Sequence, residues 1–356
     1  MYDIVIIGGG PAGASFARLI GKRYKVLLLE KRSFDLNKTR EKSCGGLIAP
    51  DAQLMLARFG LGIPKSVLIS PQMFAVRTID IENHIERYYQ RHYINIDRQA
   101  FDQWLESLIP QEVKIINNAV YHSYRMENDE IVVKFFYQGK IYEEKTKLLA
   151  GADGAFSMLR NQAFPDSPKP KLYISIQEWF ETHKNLDYYG AVFDREITDF
   201  YSWMIPKENT LILGTALEPG KQAGEKFQLL KNKLKNYGFQ FEKSIKKNGA
   251  CLFRPIHSKQ ICTGSQKIAL LGEAAGFISP SSAEGLSYAF KSALALARSL
   301  EGGLEGFAGV YKKEAQSLMR NIFFKNLKSP AMYNRVLRKL ILKSGVKSLK
   351  IEKMKI

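Results

Sequence analysis

Cysteine is scarce. Cys44, Cys251 and Cys262 are the only three in 356 residues and show no CxxC spacing, so neither a disulfide framework nor a structural zinc site is indicated. Histidine is nearly as rare, with five scattered residues, and HExxH, GxSxG and the P-loop GxxxxGK[S/T] are all missing. Zinc hydrolysis, serine hydrolysis and nucleoside-triphosphate chemistry therefore lack their carriers, and no metal is expected. Thirteen prolines, 25% charged residues and 45% hydrophobic residues exclude a disordered or collagen-like chain. Long hydrophobic runs are absent too: the longest charge-free stretch near the start, residues 4–17, is broken by four glycines and a proline. Asp3 stands where a signal peptide would carry basic residues, so the expected location is the cytoplasm.

Acidic residues are the other deficit. Lys and Arg total 53 against 35 Asp and Glu, a net +18, and such a surplus attracts nucleic acid, anionic lipid or an acidic protein. Its placement helps to choose. From Lys325 to the end there are ten basic residues and one acid, Glu352, which is half the excess. In that tail Met332, Val336, Leu337, Leu340 and Ile341 recur at helical spacing, with Arg335, Arg338 and Lys339 largely on the other side. The pattern reads as one basic amphipathic helix, either packed by its apolar stripe on the body or lying on an anionic membrane surface. Tyr333 is the one aromatic residue after Lys328, too few for the stacking that nucleic-acid binding needs, and no nucleic acid is expected.

What the chain does have is a patterned start. Residues 3–7 (DIVII) form a short apolar β-branched run, followed by Gly8, Gly9, Gly10, Pro11, Ala12 and Gly13, a helical stretch over 14–20, and a second apolar run over 24–29 that ends in Glu30. This is strand, turn, helix, strand with GxGxxG at the turn and an acid seventeen residues after Gly13, the arrangement that binds a dinucleotide. Gly8 permits the tight turn, Gly10 lets backbone approach a pyrophosphate, and Gly13 lets helix and strand pack closely. Pro11, Ala12 and Gly13 open the helix whose N-terminus favours phosphate. Glu30, with Lys31 beside it, is placed for the adenosine ribose. Two further apolar runs end in turns, LLAGADG at 148–154 and IALLGEAA at 268–275. Each alone is an ordinary buried strand. Their order after GxGxxG favours FAD over NAD, and with one dinucleotide fingerprint the chain has no dedicated NAD(P) domain.

The motifs resemble those of the aromatic-hydroxylase flavoprotein superfamily, and within it the geranylgeranyl reductase-like branch, with most similarity to the colicin M resistance flavoprotein family. The residues that carry the resemblance are 8–13, 43–53 (SCGGLIAPDAQ), 93–102 (YINIDRQAFD), 151–160 (GADGAFSMLR), 198–206 (TDFYSWMIP) and 271–289 (LGEAAGFISPSSAEGLSYA). It covers residues 1 to about 300. The fold implied is α/β: a discontinuous Rossmann-type FAD-binding domain (1–71, 93–165 and 264–302), an antiparallel β-rich substrate domain (72–92 and 166–263) and a basic helical tail (303–356).

The resemblance also implies roles. Asp153, Gly272 and Glu273 would contact the phosphates and ribityl chain, Glu273 with one methylene more than the usual Asp. Gly285 and Leu286 would bring a helix N-terminus under the flavin, and Ala283, where relatives have glycine, implies a less extreme backbone there. Arg98 falls on a position whose side chain reaches the cofactor, the plain alternative being a surface arginine at a helix start. Cys44, Gly45 and Gly46 match a turn beside the flavin ring and line the substrate; Ser43 replaces a proline and would loosen that turn. Cys44 would shape the pocket, tune the flavin or deliver a proton, or else simply be small in a tight place. Tyr201 and Trp203 match the substrate-domain element YxWxFP, with Thr198 replacing its opening proline, and alternation puts both on one strand face. They line an apolar pocket or belong to an ordinary aromatic core.

The expectation is thus an FAD-dependent oxidoreductase reducing the C=C bonds of a polyprenyl lipid or another apolar small molecule, with Cys44 and Tyr201 as proton-donor candidates. NAD(P)H, or an acidic ferredoxin-type protein drawn to the +18 surface, would reduce the flavin. An NAD(P)H-dependent flavin monooxygenase of the aromatic-hydroxylase type and a non-catalytic flavin-binding, membrane-associated protein are the alternatives.

Overall fold

The computed structural model describes residues 1–33, 44–182, 186–220, 222–241 and 243–349. The chain opens with β1 (Tyr2–Ile7), α1 (Pro11–Ile20) and β2 (Val26–Glu30). Residues from Ile4 to Ile7 and all of β2 are buried, as a parallel sheet covered on both faces requires. A two-residue strand β3 (Leu47–Ile48) and α2 (Pro50–Arg58) lead into the hairpin of β4 (Met73–Asp80) and β5 (Ile85–Asn95). After α3 (Arg98–Ser107) and β6 (Lys114–Asn117), a meander follows of β7 (Val120–Glu127), β8 (Glu130–Tyr137) and β9 (Lys140–Gly151). Past α4 (Met158–Ala163) come β10 (Lys171–Glu181), β11 (Tyr188–Phe193), β12 (Ser202–Lys207), β13 (Thr210–Leu217), α5 (Ala223–Lys235) and β14 (Ser244–Arg254). The end is formed by β15 (Ile268–Leu270), α6 (Leu286–Ser299), α7 (Phe307–Glu314), α8 (Gln316–Tyr333), α9 (Arg335–Ser344) and the short β16 (Ser348–Leu349).

These strands form two sheets. The first has the order β6-β2-β1-β9-β8-β7. It is parallel from β6 to β9, and the last three residues of β9 also carry β15 in parallel. The second runs β14-β10-β13-β12-β11-β4-β5-β16. Every neighbouring pair in it is antiparallel except β11 with β4. This is the α/β architecture with an antiparallel-rich second sheet that the motifs implied. α1 and α6 lie together against the first sheet, where Ala12, Ala14, Ala17, Ala289 and Ala293 are buried in one core with Phe16 and Phe290. Small side chains at this contact let the helices approach closely.

The tail differs from its sequence reading in two ways. It contains two helices where one was expected, because Asn334 leaves the helical conformation after Tyr333 and its side chain accepts from Val336 N and Leu337 N, capping a new helix. Met332 therefore belongs to α8. And Arg338, expected on the solvated side, is buried against Asp80 and Glu82, while Val336, Leu337, Leu340 and Ile341 are exposed. Among the described residues, no helix is long and apolar enough to cross a membrane.

Candidate functional site

The glycine turn ends β1. Gly8 has φ +99°, and a Cβ there would meet the Ala152 carbonyl oxygen at 2.6 Å. A Cβ on Gly13 would stand 1.9 Å from the Gly8 oxygen. Only glycine fits either place. Gly10 is extended (φ −69°, ψ −177°), and Pro11 follows it as the first residue of α1. The N–H groups of Ala12 and Gly13 have no carbonyl four residues back within the helix, so they and the dipole face the turn. At the end of β2, Glu30 is buried and accepts from Gly9 N at 2.6 Å and from Arg32 N at 2.8 Å. Burial works to raise its pKa, but Arg32 and the two backbone N–H groups prevail and hold it below the usual range. Lys31 is exposed beside it.

Asp153 sits directly under this turn, its Cα 3.1 Å from where a Gly8 Cβ would be. One carboxylate oxygen accepts from Leu159 N; the other is buried with no hydrogen-bond partner among the described residues. Burial pushes its pKa up. Gly272, at φ +58°, faces the Ala12 side chain, and its N–H donates to Ser292 Oγ at 2.9 Å. Glu273 Oε1 would lie 3.0 Å from a Cβ on Gly285, the residue that precedes Leu286 at the start of α6. One expectation fails here. Ala283 is left-handed, with φ +51°, so replacement of glycine has not relaxed the turn. Its N–H donates to Ser279 O, and Ser279 N to Glu284 O; these two bonds impose the conformation at a cost of about 1–2 kcal/mol.

The Cys44 turn joins the two sheets. A Cβ on Gly45 would strike Ile205 of β12 at 2.4 Å, and Gly46 is left-handed (φ +61°), with Ile96 O at 2.4 Å and Lys207 Nζ at 2.6 Å from a Cβ there. Arg98, the first residue of α3, donates to Asp102 Oδ1 at 2.8 Å and to Cys44 Sγ at 3.1 Å. Burial opposes its charge, yet Asp102 and the Cys44 sulfur hold its pKa well above the ordinary value. Arg98 is thus no surface arginine. Ser43, expected to loosen this turn, lies outside the described residues.

Tyr201 and Trp203 are buried with ring centroids 5.6 Å apart, on one face as alternation required. The Tyr201 hydroxyl donates to Ser282 O at 2.7 Å, so the second sheet reaches the turn ahead of α6. Burial pushes the Tyr201 phenol up. Around them one buried cluster gathers Tyr189, Phe193, Phe200 and Ile205, and the partly buried Tyr93, Leu47, Ala283 and Tyr333 border it. The Cys44 turn, the turn before α6 and the aromatic face of the second sheet therefore meet.

Sequence reasoning missed four groups. Lys207 is buried, and its Nζ donates to Gly46 O at 3.0 Å and Ile96 O at 2.7 Å; burial pushes its pKa down to about 7, against the pull of Cys44 and Asp97. It directly follows Pro206 of the aromatic motif, and a lysine ending a buried strand was the available signal. Arg32 binds Asp102 at 2.7 Å as well as Glu30, tying Glu30 to the Arg98–Asp102 pair. Arg254 lies over the Phe200 and Tyr333 rings, 4.7 and 4.5 Å from their centroids. Tyr333, on the far side of the chain in sequence, donates to Ser281 O at 2.7 Å.

The residues present fit FAD. The turn at Gly8 and Gly13 has no room for side chains, as backbone that approaches a pyrophosphate requires, and beneath it one buried Asp153 oxygen has no hydrogen-bond partner among the described residues. Among the described residues no His, Cys, Asp and Glu cluster could hold a metal. No family model matches the chain. Protein CbrA of Escherichia coli O9:H4 (strain HS) is 39% identical over 345 residues, 97% of this chain and 94% of that protein. Protein CbrA of Shigella sonnei (strain Ss046) matches at the same identity over 97% of each chain. This chain belongs to the CbrA family. That is the colicin M resistance group to which the motifs pointed. Among solved structures, a geranylgeranyl bacteriochlorophyll reductase-like protein from Thermoplasma acidophilum matches all of this chain and 94% of its own, with TM-score 0.81 and 16% identity. PqsL, a probable FAD-dependent monooxygenase from Pseudomonas aeruginosa, gives 0.72 at 14% over 96% and 98%. The p-nitrophenol 4-monooxygenase PnpA from Pseudomonas putida DLL-E4 gives 0.67 at 16% over 99% of each. The shared feature is the fold of FAD-dependent oxidoreductases and monooxygenases.

Proposed function

We propose that the protein is an FAD-dependent oxidoreductase that reduces an isolated C=C bond in a polyprenyl lipid. The observation that carries this reading is the apolar face at the junction of the sheets, where Tyr93, Tyr189, Phe200, Tyr201 and Trp203 stand between the Cys44 turn and the turn before α6. FAD, when bound and reduced, supplies a hydride equivalent. The chain does the rest. The glycine turn and the start of α1 would hold the pyrophosphate, Asp153 and Glu273 the hydroxylated linker, and Glu30 the ribose. The start of α6 would favour negative charge on the reduced flavin ring.

An unpolarised alkene also needs a proton on its second carbon. An ordinary thiol is more acidic than an ordinary phenol by roughly 1.5 units, and burial pushes Tyr201 further up. Cys44 is therefore the stronger proton donor of the two, with Tyr201 orienting the chain of the substrate. Lys207, whose ammonium is committed to Gly46 O and Ile96 O, positions the Cys44 turn. The electron donor is proposed to be NAD(P)H in transient contact or an acidic ferredoxin-type protein suited to a +18 surface. A monooxygenase is the second reading, since PqsL and PnpA share the fold. Incubation of the chemically reduced holoprotein with a prenyl lipid, without oxygen, tests the first. The product should gain the mass of two hydrogens as the flavin is oxidised by two electrons; an oxygenated product, formed only in air, would replace this reading with the second.

A further inference from the structure

The outward side of α9 is built the wrong way round for a helix that simply ends a soluble domain. Val336, Leu337, Leu340 and Ile341 are 64%, 43%, 60% and 45% exposed, while Arg338 is buried with Leu342 one turn further on. At about 100° per residue the four apolar side chains share an arc of about 140°, and Arg335, Lys339 and Lys343 share the flank on the opposite side of Arg338. On α8, Phe323, Phe324 and Leu327 are likewise exposed, at helical spacing. Scattered exposed apolar residues need no explanation, but a row of seven on two adjoining helices does.

Strong contacts fix this orientation. Arg338 donates to Asp80 at 2.8 and 3.1 Å, to Glu82 at 2.6 Å and to Met332 O at 3.0 Å. Arg87 donates to Leu342 O at 2.9 Å and Asn83 to Arg335 O at 3.2 Å. A guanidinium holds the helix down, and Leu337 and Leu340 face out.

We propose that this face docks on an anionic lipid bilayer, with Val336, Leu337, Leu340 and Ile341 in the acyl boundary and Arg335, Lys339 and Lys343 among the headgroups. Charge selects this occupant over a second copy of the chain. The tail from Lys325 on carries ten basic residues against one acid, so two such faces would repel each other while an anionic surface attracts each. Position supports it as well. Tyr333, at the junction of α8 and α9, stacks with Phe200 at 5.3 Å and contacts Phe193 at 6.1 Å, so the docked helices adjoin the aromatic face. That last point rests on the polyprenyl-lipid reading; the docking itself does not.

The test is co-sedimentation of the full-length holoprotein with vesicles of phosphatidylglycerol and phosphatidylcholine, and with phosphatidylcholine alone. Wild type should bind the anionic vesicles, weakly the neutral ones, and lose binding as salt rises. The doubly substituted Val336→Glu, Leu340→Glu protein, altered at exposed positions, should keep its flavin and bind anionic vesicles at least about tenfold more weakly. The Lys339→Gln, Lys343→Gln protein should lose about tenfold or more on anionic vesicles and little on neutral ones. Absence of wild-type binding, or equal binding by the Glu variants, would overturn the proposal. So would a wild-type dimer in solution that the Glu variants abolish. Docking without lipid turnover leaves the surface standing and removes the lipid-reductase reading; turnover in detergent without docking does the reverse.

Discussion

Arg98 Nη1 donates to the sulfur of Cys44 over 3.1 Å, joining the first residue of α3 to the turn between the two sheets. Because Asp102 takes the other side of the guanidinium at 2.8 Å, the cation is fixed and the sulfur is held against it. Cys44→Ala should leave flavin content unchanged and lower lipid-dependent turnover by about 10²–10⁴ if the thiol delivers the proton. Equal rates for the two proteins would show Cys44 to be only a small side chain in a tight place.

Gly13→Ala should purify with little or no flavin and a lower melting temperature. The added carbon would sit 1.9 Å from the Gly8 oxygen, so either the helix or the turn must move and the phosphate cradle opens. Gly10→Val separates the two effects, since its backbone is extended (φ −69°), a conformation any residue adopts; it should be folded yet colourless. Absorbance of the purified proteins near the flavin bands checks both.

Lys207 makes stability depend on pH. Its folded pKa is pushed down to about 7, while an unfolded lysine titrates near 10.4. Between those values the unfolded chain binds more protons, so stability rises with pH through this window, by up to about 1.4 kcal/mol per pH unit. Below pH 7 both states are protonated and the contribution is flat. Urea unfolding of wild type and Lys207→Met across the window should show the slope in the first and its loss in the second.

Arg338→Ala should destabilise by about 3–5 kcal/mol, because it strands a buried Asp80 without its cation. Adding Asp80→Asn should restore most of that loss, as the amide needs no counter-charge. A double-mutant cycle by chemical denaturation gives the coupling. Near-additive losses would mean that α9 is held by its other contacts.

Trp203→Ala should cost about 3–5 kcal/mol of stability, since the indole is buried against Gly214, with Nε1 2.3 Å from where a Cβ would lie. If the ring also anchors substrate, lipid affinity falls by a further measurable factor in detergent, where membrane docking plays no part. Unchanged affinity would leave Trp203 as core.

Much of this was legible because the motif over residues 8–30 admits few alternatives. Gly8, Gly13 and Glu30 are fixed by local geometry, so sequence spacing alone located them. The same holds for the Tyr201 and Trp203 face, which alternation predicts. Ala283 was misread because its left-handed backbone is imposed by Ser279 and Glu284 bonds, and residue type carries no trace of that. Arg338 was misread for a related reason: helical periodicity assigns charges to solvent, whereas Asp80 and Glu82, some 250 residues earlier, pull this one inward. Lys207 and Arg254 were invisible because their partners are backbone carbonyls and rings from distant segments.

The most direct test of the central claim is stopped-flow mixing of the chemically reduced holoprotein with a prenyl lipid in detergent, without oxygen, followed at the flavin absorbance. Expected is reoxidation of the flavin at a rate that rises with lipid concentration and falls in Cys44→Ala. A flavin that stays reduced with lipid present and reoxidises only when air is admitted would contradict reduction of an isoprenoid double bond as the activity of this protein.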